Sequence, residues 1–306
     1  MDRVRSKKRA DKGARRGMGP VVAREALLVA GVLVGGYFFM REAQHTLPDM
    51  WEWQRMLAYI AWKDAAGWHA GLLLRGLATT VRLGVWSGAL ALLVGGLVGV
   101  WTARSKGWLA LPGMAFMTLL RNTPPLVLLF LLYFFASERL FSGLDDWVRG
   151  WPAGGRELVP LCFAPVGQVD RMAAAVLTLG LYEGAYVSEI VRAGLQSLPR
   201  SQWDAAAALG FSRWQRLRLI VGPQALPLML PPLAGQCVSI FKDSALASLI
   251  SVPDLTFQGM EIMSVSRLPF ESWILVGGLY LLLSLACVGL FQQWQGRLRW
   301  RSKPFS

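Results

Sequence analysis

Histidine, cysteine and charge are all scarce in this 306-residue chain. The two histidines, His45 and His69, stand apart, and Cys162, Cys237 and Cys287 are widely separated with no Cys-x-x-Cys among them. Neither a metal centre nor a disulfide framework is indicated. Charged residues make up only 17% of the chain, against roughly 25% in a typical soluble one. That excludes an ordinary soluble domain. No Gly-x4-Gly-Lys-Ser/Thr occurs, so the chain has no phosphate-binding loop of its own. Any ATP involved must be hydrolysed by another polypeptide.

What fills the sequence is apolar. Hydrophobic residues reach 54% and the mean hydropathy is +0.40, gathered into runs near the ~20 residues that cross a bilayer. The net charge of +13 is not spread over a face suited to nucleic acid, which is not expected as a partner. The basic residues cluster in an N-terminal arm, between 199 and 223, and at the C-terminus, as the positive-inside rule requires. Residues 1–20 form a basic cytoplasmic arm in reach of lipid headgroups. Residues 21–43 form a first transmembrane helix, retained as an anchor because no small-x-small cleavage site follows it.

Residues 44–70, with Trp51, Trp53, Trp62 and Trp68 among charged residues, predict one or two short helices at the outer interface. The transmembrane domain proper covers 71–296 and ends in a basic tail, 297–306. Its first span carries Gly84, Gly88, Gly95 and Gly99 at Gly-x3-Gly spacing, which permits close helix approach in lipid. Arg104 and Lys106 mark the inner end of that span. Pro124 and Pro125 are predicted to kink the next one. A polar outer-face insertion at 136–170 holds a short amphipathic helix. Counting spans gives six, with both termini cytoplasmic in a multi-pass inner-membrane protein.

One polar interruption stands out, from Ser201-Gln-Trp203-Asp204-Ala205-Ala206-Ala-Ala-Leu-Gly210 through Phe211-Ser-Arg213-Trp to Gly222-Pro223. Ser201 is positioned to cap a helix with Asp204 reaching back, and Gly210 to end it in the left-handed conformation. A second basic helix is predicted to run until Pro223 breaks it. The spacing resembles the EAA loop of ABC-transporter permease subunits, with Asp204 for the usual Glu and Gly222 for a Leu. Arg121-Asn-Thr-Pro-Pro-Leu126, Gly184-Ala-Tyr186-x2-Glu189-Ile-x-Arg192 and Lys242-Asp243-Ser244 resemble further motifs of the polar amino-acid group, which includes histidine, glutamine and general amino-acid systems. Leu128 stands where that group usually has Gln, and Gly235 where many relatives have Asn.

The resemblance covers about residues 71–296. It implies an all-α membrane protein, a MetI-like ABC permease bundle with a five-helix core and one added N-terminal helix. It implies further partners: a second permease subunit, identical or homologous, ABC ATPase subunits that carry ATP and Mg, a solute-binding protein, and an amino-acid substrate. This chain itself binds no cofactor on that view and is not an enzyme. Ser201, Trp203, Asp204, Ala205, Ala206, Gly210, Phe211 and Arg213 are its ATPase-coupling residues. Glu183, Tyr186, Gln236, Ser239, Lys242, Asp243 and Ser244 line the substrate path, because ionisable groups within a membrane mark function. Pro124, Pro125 and Pro231 are the kinks that let helices tilt. A passive channel and an intramembrane enzyme are the alternatives. The first leaves the 201–210 loop without a purpose, and the second has no Ser/His, His-Glu-x2-His or paired-aspartate motif.

Overall fold

A computed structural model describes residues 52–64, 67–105 and 107–301, with scattered helical positions between 31 and 42. The basic arm, most of the 21–43 span, the 44–51 stretch and the tail after Arg301 lie outside the described residues. The chain divides into two units, Met1–Trp53 and Gln54–Ser306, and the architecture below belongs to the second.

It opens with a short helix α1 (Trp53–Leu57) and a two-stranded hairpin, β1 (Ala61–Asp64) and β2 (Gly67–Ala70). The short helix was expected; the hairpin was not. Trp62 pairs with His69 across the strands, their rings stacked at 4.6 Å, and aromatic cross-strand pairs stabilise such ribbons. Gly67 closes the turn at φ +130° while its N–H donates to Asp64 Oδ1 at 3.1 Å.

Four helices, or five if a bent pair counts as one span, are long and apolar enough to cross a membrane among the described residues. The first is α2 (Leu72–Arg104). A broken pair follows, α3 (Leu111–Asn122) and α4 (Pro125–Ala136). Pro124 and Pro125 were expected to kink one helix. Instead the helix stops at Asn122 and restarts with its axis turned by 112°, because two successive residues without an N–H interrupt the ladder. The insertion then forms α5 (Leu144–Arg149) and α6 (Ala153–Cys162), and α7 (Val169–Gln196) follows. After α8 (Arg200–Ala208) come α9 (Arg213–Gln215), a π-helical turn and α10 (Gly222–Asp243). A 3-10 segment, α11 (Leu255–Ser266) and α12 (Pro269–Arg301) complete the chain.

The bundle is organised by α2 against α7. A Cβ at Gly95 would meet the Gly184 carbonyl at 2.7 Å, and one at Gly99 the Ser188 carbonyl at 2.6 Å. Without side chains there, the two backbones approach closely enough for dispersion to replace the hydrophobic effect that lipid does not provide. Of the two expected glycine pairs, 95/99 forms this contact. Gly84 instead receives the ring of Phe241 from α10, and Gly88 makes only an ordinary contact with Ile240.

Candidate functional site

The 199–223 region packs through one face of α8. Trp203 joins a cluster of Leu195, Leu217, Val221, Ala225 and Met229, and Ala206 is 1% exposed. Ser201, Asp204, Ala205, Gly210 and Arg213 are exposed, and Phe211 is half-buried. Trp203 and Ala206 therefore anchor the loop, while Asp204, Ala205 and Ala208 form its free face. Leu209 and Trp214, 74% and 60% exposed, extend that face with apolar surface. Neither was singled out from sequence. Bulky apolar residues in a segment between spans were the available signal.

Two local expectations are corrected. The N-cap of α8 is Pro199, with no side-chain cap bond; proline's fixed φ starts the helix early and leaves Ser201 inside the first turn. The capping box forms one helix later. There Ser212 Oγ accepts from the Gln215 N–H and the Gln215 side chain accepts from the Ser212 N–H. Pro223 does not break the second helix either. The π-turn Arg216–Val221 lets the Gly222 N–H reach the Leu217 carbonyl, and Pro223 falls in the first turn of α10, where no N–H is needed. Gly210 takes φ +79°, and the chain closes around it with Phe211 N–H donating to the Ala206 carbonyl at 3.2 Å.

From this loop, one 38-residue helical stretch, Arg213–Ile250, runs into the bundle. There the Gln236 amide donates to Glu183 Oε2 across α10 and α7. Glu183 is fully buried, its Oε1 has no hydrogen-bond donor among the described residues, and Asp243 lies beside it. Tyr186, one turn along α7, shares a hydroxyl contact of 3.2 Å with Tyr182 and carries the Arg121 guanidinium over its ring at 5.3 Å. Arg121 also reaches Glu189 at 3.5 Å. Glu189 pairs with Arg192, three residues on, at 2.5 Å. Arg121 and Tyr182 are the members that sequence reasoning passed over, although Tyr182 and Tyr186 share an i, i+4 face.

Not every candidate converges. Ser239 is half-buried, and Lys242 is exposed with no ion-pair partner among the described residues. Ser244 is buried, but its hydroxyl donates to the Phe241 carbonyl of its own turn at 2.7 Å. Leu128, in the position of the missing polar residue, is buried. Among the described residues no cluster of His, Cys, Asp and Glu could hold a metal ion.

A second buried polar group sits at the start of α11. Asp254, fully buried, caps the helix through the Phe257 N–H at 2.8 Å and accepts from the Tyr280 hydroxyl at 3.3 Å. The Leu255 N–H donates to Thr80 Oγ1 at 3.0 Å, which ties α11 to α2. Burial pushes the Asp254 carboxyl up to about 7, against the opposing pull of these donors. Asp254 was not singled out from sequence.

A broken pair, a bundle sealed on glycines and a polar loop continuous with a core helix define a membrane transport subunit. The family of binding-protein-dependent transport system inner membrane components matches residues 95–301, and the chain belongs to it. The glutamine transport system permease protein GlnP of Escherichia coli is 31% identical over 230 residues, 74% of this chain and 93% of that protein. The arginine ABC transporter permease protein ArtQ of Escherichia coli is 30% identical over 207 residues, 67% and 86% of the respective chains. A crystal structure of an amino acid ABC transporter with histidines superposes with a TM-score of 0.57 at 27% identity, covering 74% of this chain and 94% of that one. The fold is the MetI-like permease bundle expected of an all-α membrane protein.

Proposed function

We propose that this chain is the transmembrane permease subunit of an ATP-driven ABC importer for amino acids. The carrying observation is the continuous helix from the exposed α8 loop to the Gln236–Glu183 junction. A partner that moves the loop also moves the residue that holds the buried carboxylate. On this reading a second permease completes the membrane unit, ATPase subunits bind ATP and Mg, and a solute-binding protein delivers substrate. The loop, the N-terminus and the C-terminus face the cytoplasm of the inner membrane. Asp204, Ala205 and the left-handed turn at Gly210 contact the ATPase, with Arg213 directed at its acidic residues.

Glu183, Gln236 and Asp243 form an acceptor-rich group with a free carboxylate oxygen, which suits the ammonium of an amino acid. Tyr186 and Arg121 lie one turn nearer the loop, where a carboxylate would find a donor. Membrane sites of this kind use paired polar groups because an unpaired one in hydrocarbon is costly. The relatives act on glutamine and arginine by name, and these residues provide for the backbone groups that such substrates share.

Co-purification from membranes tests the reading, with Gly210→Asp and Asp204→Arg compared against wild type. A Cβ at Gly210 meets nothing within 4 Å of the chain itself, so beyond the roughly 1–2 kcal/mol cost of φ > 0 its effect reports on a partner. Wild type is expected to bring down an ATPase whose activity a binding protein stimulates, and both variants to insert normally but lose it. A wild type that brings down no ATPase would reopen the channel and enzyme readings.

A further inference from the structure

The insertion between α4 and α7 plays no part in the path or the coupling surface. Its α6 is fastened to the spanning helix α2. Arg82 donates from Nη1 to the Pro160 carbonyl and from Nε to its own Ala78 carbonyl at 3.1 Å. The Trp86 indole N–H donates to the Cys162 carbonyl at 2.9 Å, and the indole stands edge-on to Phe163 at 5.9 Å. These bonds answer the oddity of an arginine inside a span. They also fix a level. Counted back from Arg104 at ~1.5 Å per residue, Arg82 and Trp86 lie about 33 and 27 Å away along α2. The hydrocarbon layer is ~30 Å thick. Arg82 and Trp86 thus mark the far interface, where arginine and tryptophan settle, and α6 is held at the same level.

Two faces of the insertion then acquire a meaning. Leu158 and Leu161, at i, i+3 on α6, are 58% and 73% exposed, and Trp147 of α5 is 62% exposed. The adjoining face, Arg156 and Pro160 at i, i+4, joins Arg149, Glu157 and Val166 around an open cavity of about 340 Å³. Among the described residues Arg149 has one bond there, to exposed Asp146 at 3.4 Å, a contact worth little in water. Leucines beside guanidinium groups, at the depth of the headgroups, match a molecule with acyl chains below a phosphate. An in-plane amphipathic helix binds through this combination of apolar area and charge.

We infer that α5 and α6 form a phospholipid seat on the side of the bundle opposite the α8 loop. Trp147, Leu158 and Leu161 lie among acyl chains, and Arg149 and Arg156 take the phosphate of one phospholipid headgroup. The inference rests on α2 spanning the membrane and is independent of the substrate carried.

The test uses the full chain in nanodiscs of phosphatidylethanolamine and phosphatidylglycerol. Nitroxides are placed singly at Leu158→Cys, Leu161→Cys and, as a water-facing reference, Arg213→Cys, in a background with Cys162, Cys237 and Cys287 changed to serine. Collisions with oxygen should exceed those with a water-soluble nickel chelate several-fold at 158 and 161, with the reverse at 213. Nickel access at 158 and 161 equal to that at 213 overturns the seat. Native mass spectrometry of the Arg149→Gln/Arg156→Gln variant, checked for unchanged thermal unfolding, should show a retained phospholipid lost relative to wild type. Full retention overturns the headgroup assignment. So does displacement of the lipid by millimolar inorganic phosphate, which would mark a site for the free anion.

Discussion

Replacing Gly99 with alanine tests the contact on which the bundle depends. The new Cβ would stand 2.6 Å from the Ser188 carbonyl oxygen and 2.7 Å from Val191 Cβ. Carbon–oxygen contacts between helices are normally about 3.3–3.6 Å, so α2 and α7 must part by just under 1 Å. The first obstacle is backbone, which cannot rotate aside as a long side chain would. Overpacking of this kind costs about 1–3 kcal/mol, while the better helix propensity of alanine returns at most about 1 kcal/mol. Against a rigid backbone obstacle the cost falls toward the upper end of that range, and the clash then wins by roughly 2 kcal/mol. Gly96, on the same helix, has nothing within 4 Å, and alanine there keeps the propensity gain without the clash. Thermal unfolding of the two purified variants in one detergent should place them on opposite sides of wild type, a few degrees apart. A Gly99→Ala protein as stable as Gly96→Ala would refute the close-packing argument.

Asp254 makes stability depend on pH. Its carboxyl stands at about 7 in the fold against an ordinary 3.8, so between those values the folded chain keeps a proton that the unfolded chain releases. Stability from this group is present in full below about pH 4 and is lost as pH rises through 7, by at most roughly 4 kcal/mol. Asp254→Asn, which still caps α11, should remove that slope, and a melting-temperature profile from pH 5 to 8 identical to wild type would contradict it. In the core, the Cys237 and Cys287 sulfurs are 3.0 Å apart across α10 and α12, so copper-phenanthroline oxidation should reduce the maleimide-reactive thiols from the three free cysteines to Cys162 alone. Three reactive thiols after oxidation would count against that pairing.

The elements that sequence anticipated best were those whose cause is local. Gly210 had to terminate a helix because four alanines give the chain no other reason to stop, and it does so at φ +79°. The run from Leu83 to Ala103 carries no charge and is bounded by Arg104, so its identity as a span needed no tertiary knowledge. What escaped depends on partners far away in the chain. Glu183 and Gln236 were both expected on the substrate path, but the hydrogen bond that joins them spans 53 residues and neither residue alone announces it. Pro223 looked like a terminus because the π-turn that carries the chain on into α10 leaves no mark in residue type. The hairpin at 61–70 was hidden for another reason. Its tryptophans suit an interfacial helix as well as a strand, and the Trp62–His69 pair that decides between them is a cross-strand contact.

The prolines of α10 bear on how the transport proposal would work. Pro227 and Pro231 stand at i, i+4 inside the helix, with Pro232 adjacent, so one face of the helix lacks successive backbone bonds. Deformation induced at the α8 loop is therefore expected to concentrate between Pro227 and Pro232, leaving the regular turn at Gln236 to shift as a unit. On that proposal Glu183, buried with one oxygen lacking a donor among the described residues, is the group that senses that shift. With Gln236 in place, only one further donor is needed, and a substrate ammonium provides it. With Gln236 withdrawn, the same ammonium faces a carboxylate lacking both donors and lying beside Asp243. On that proposal the two arrangements bind substrate unequally, which is the condition for work done at the loop to move a ligand.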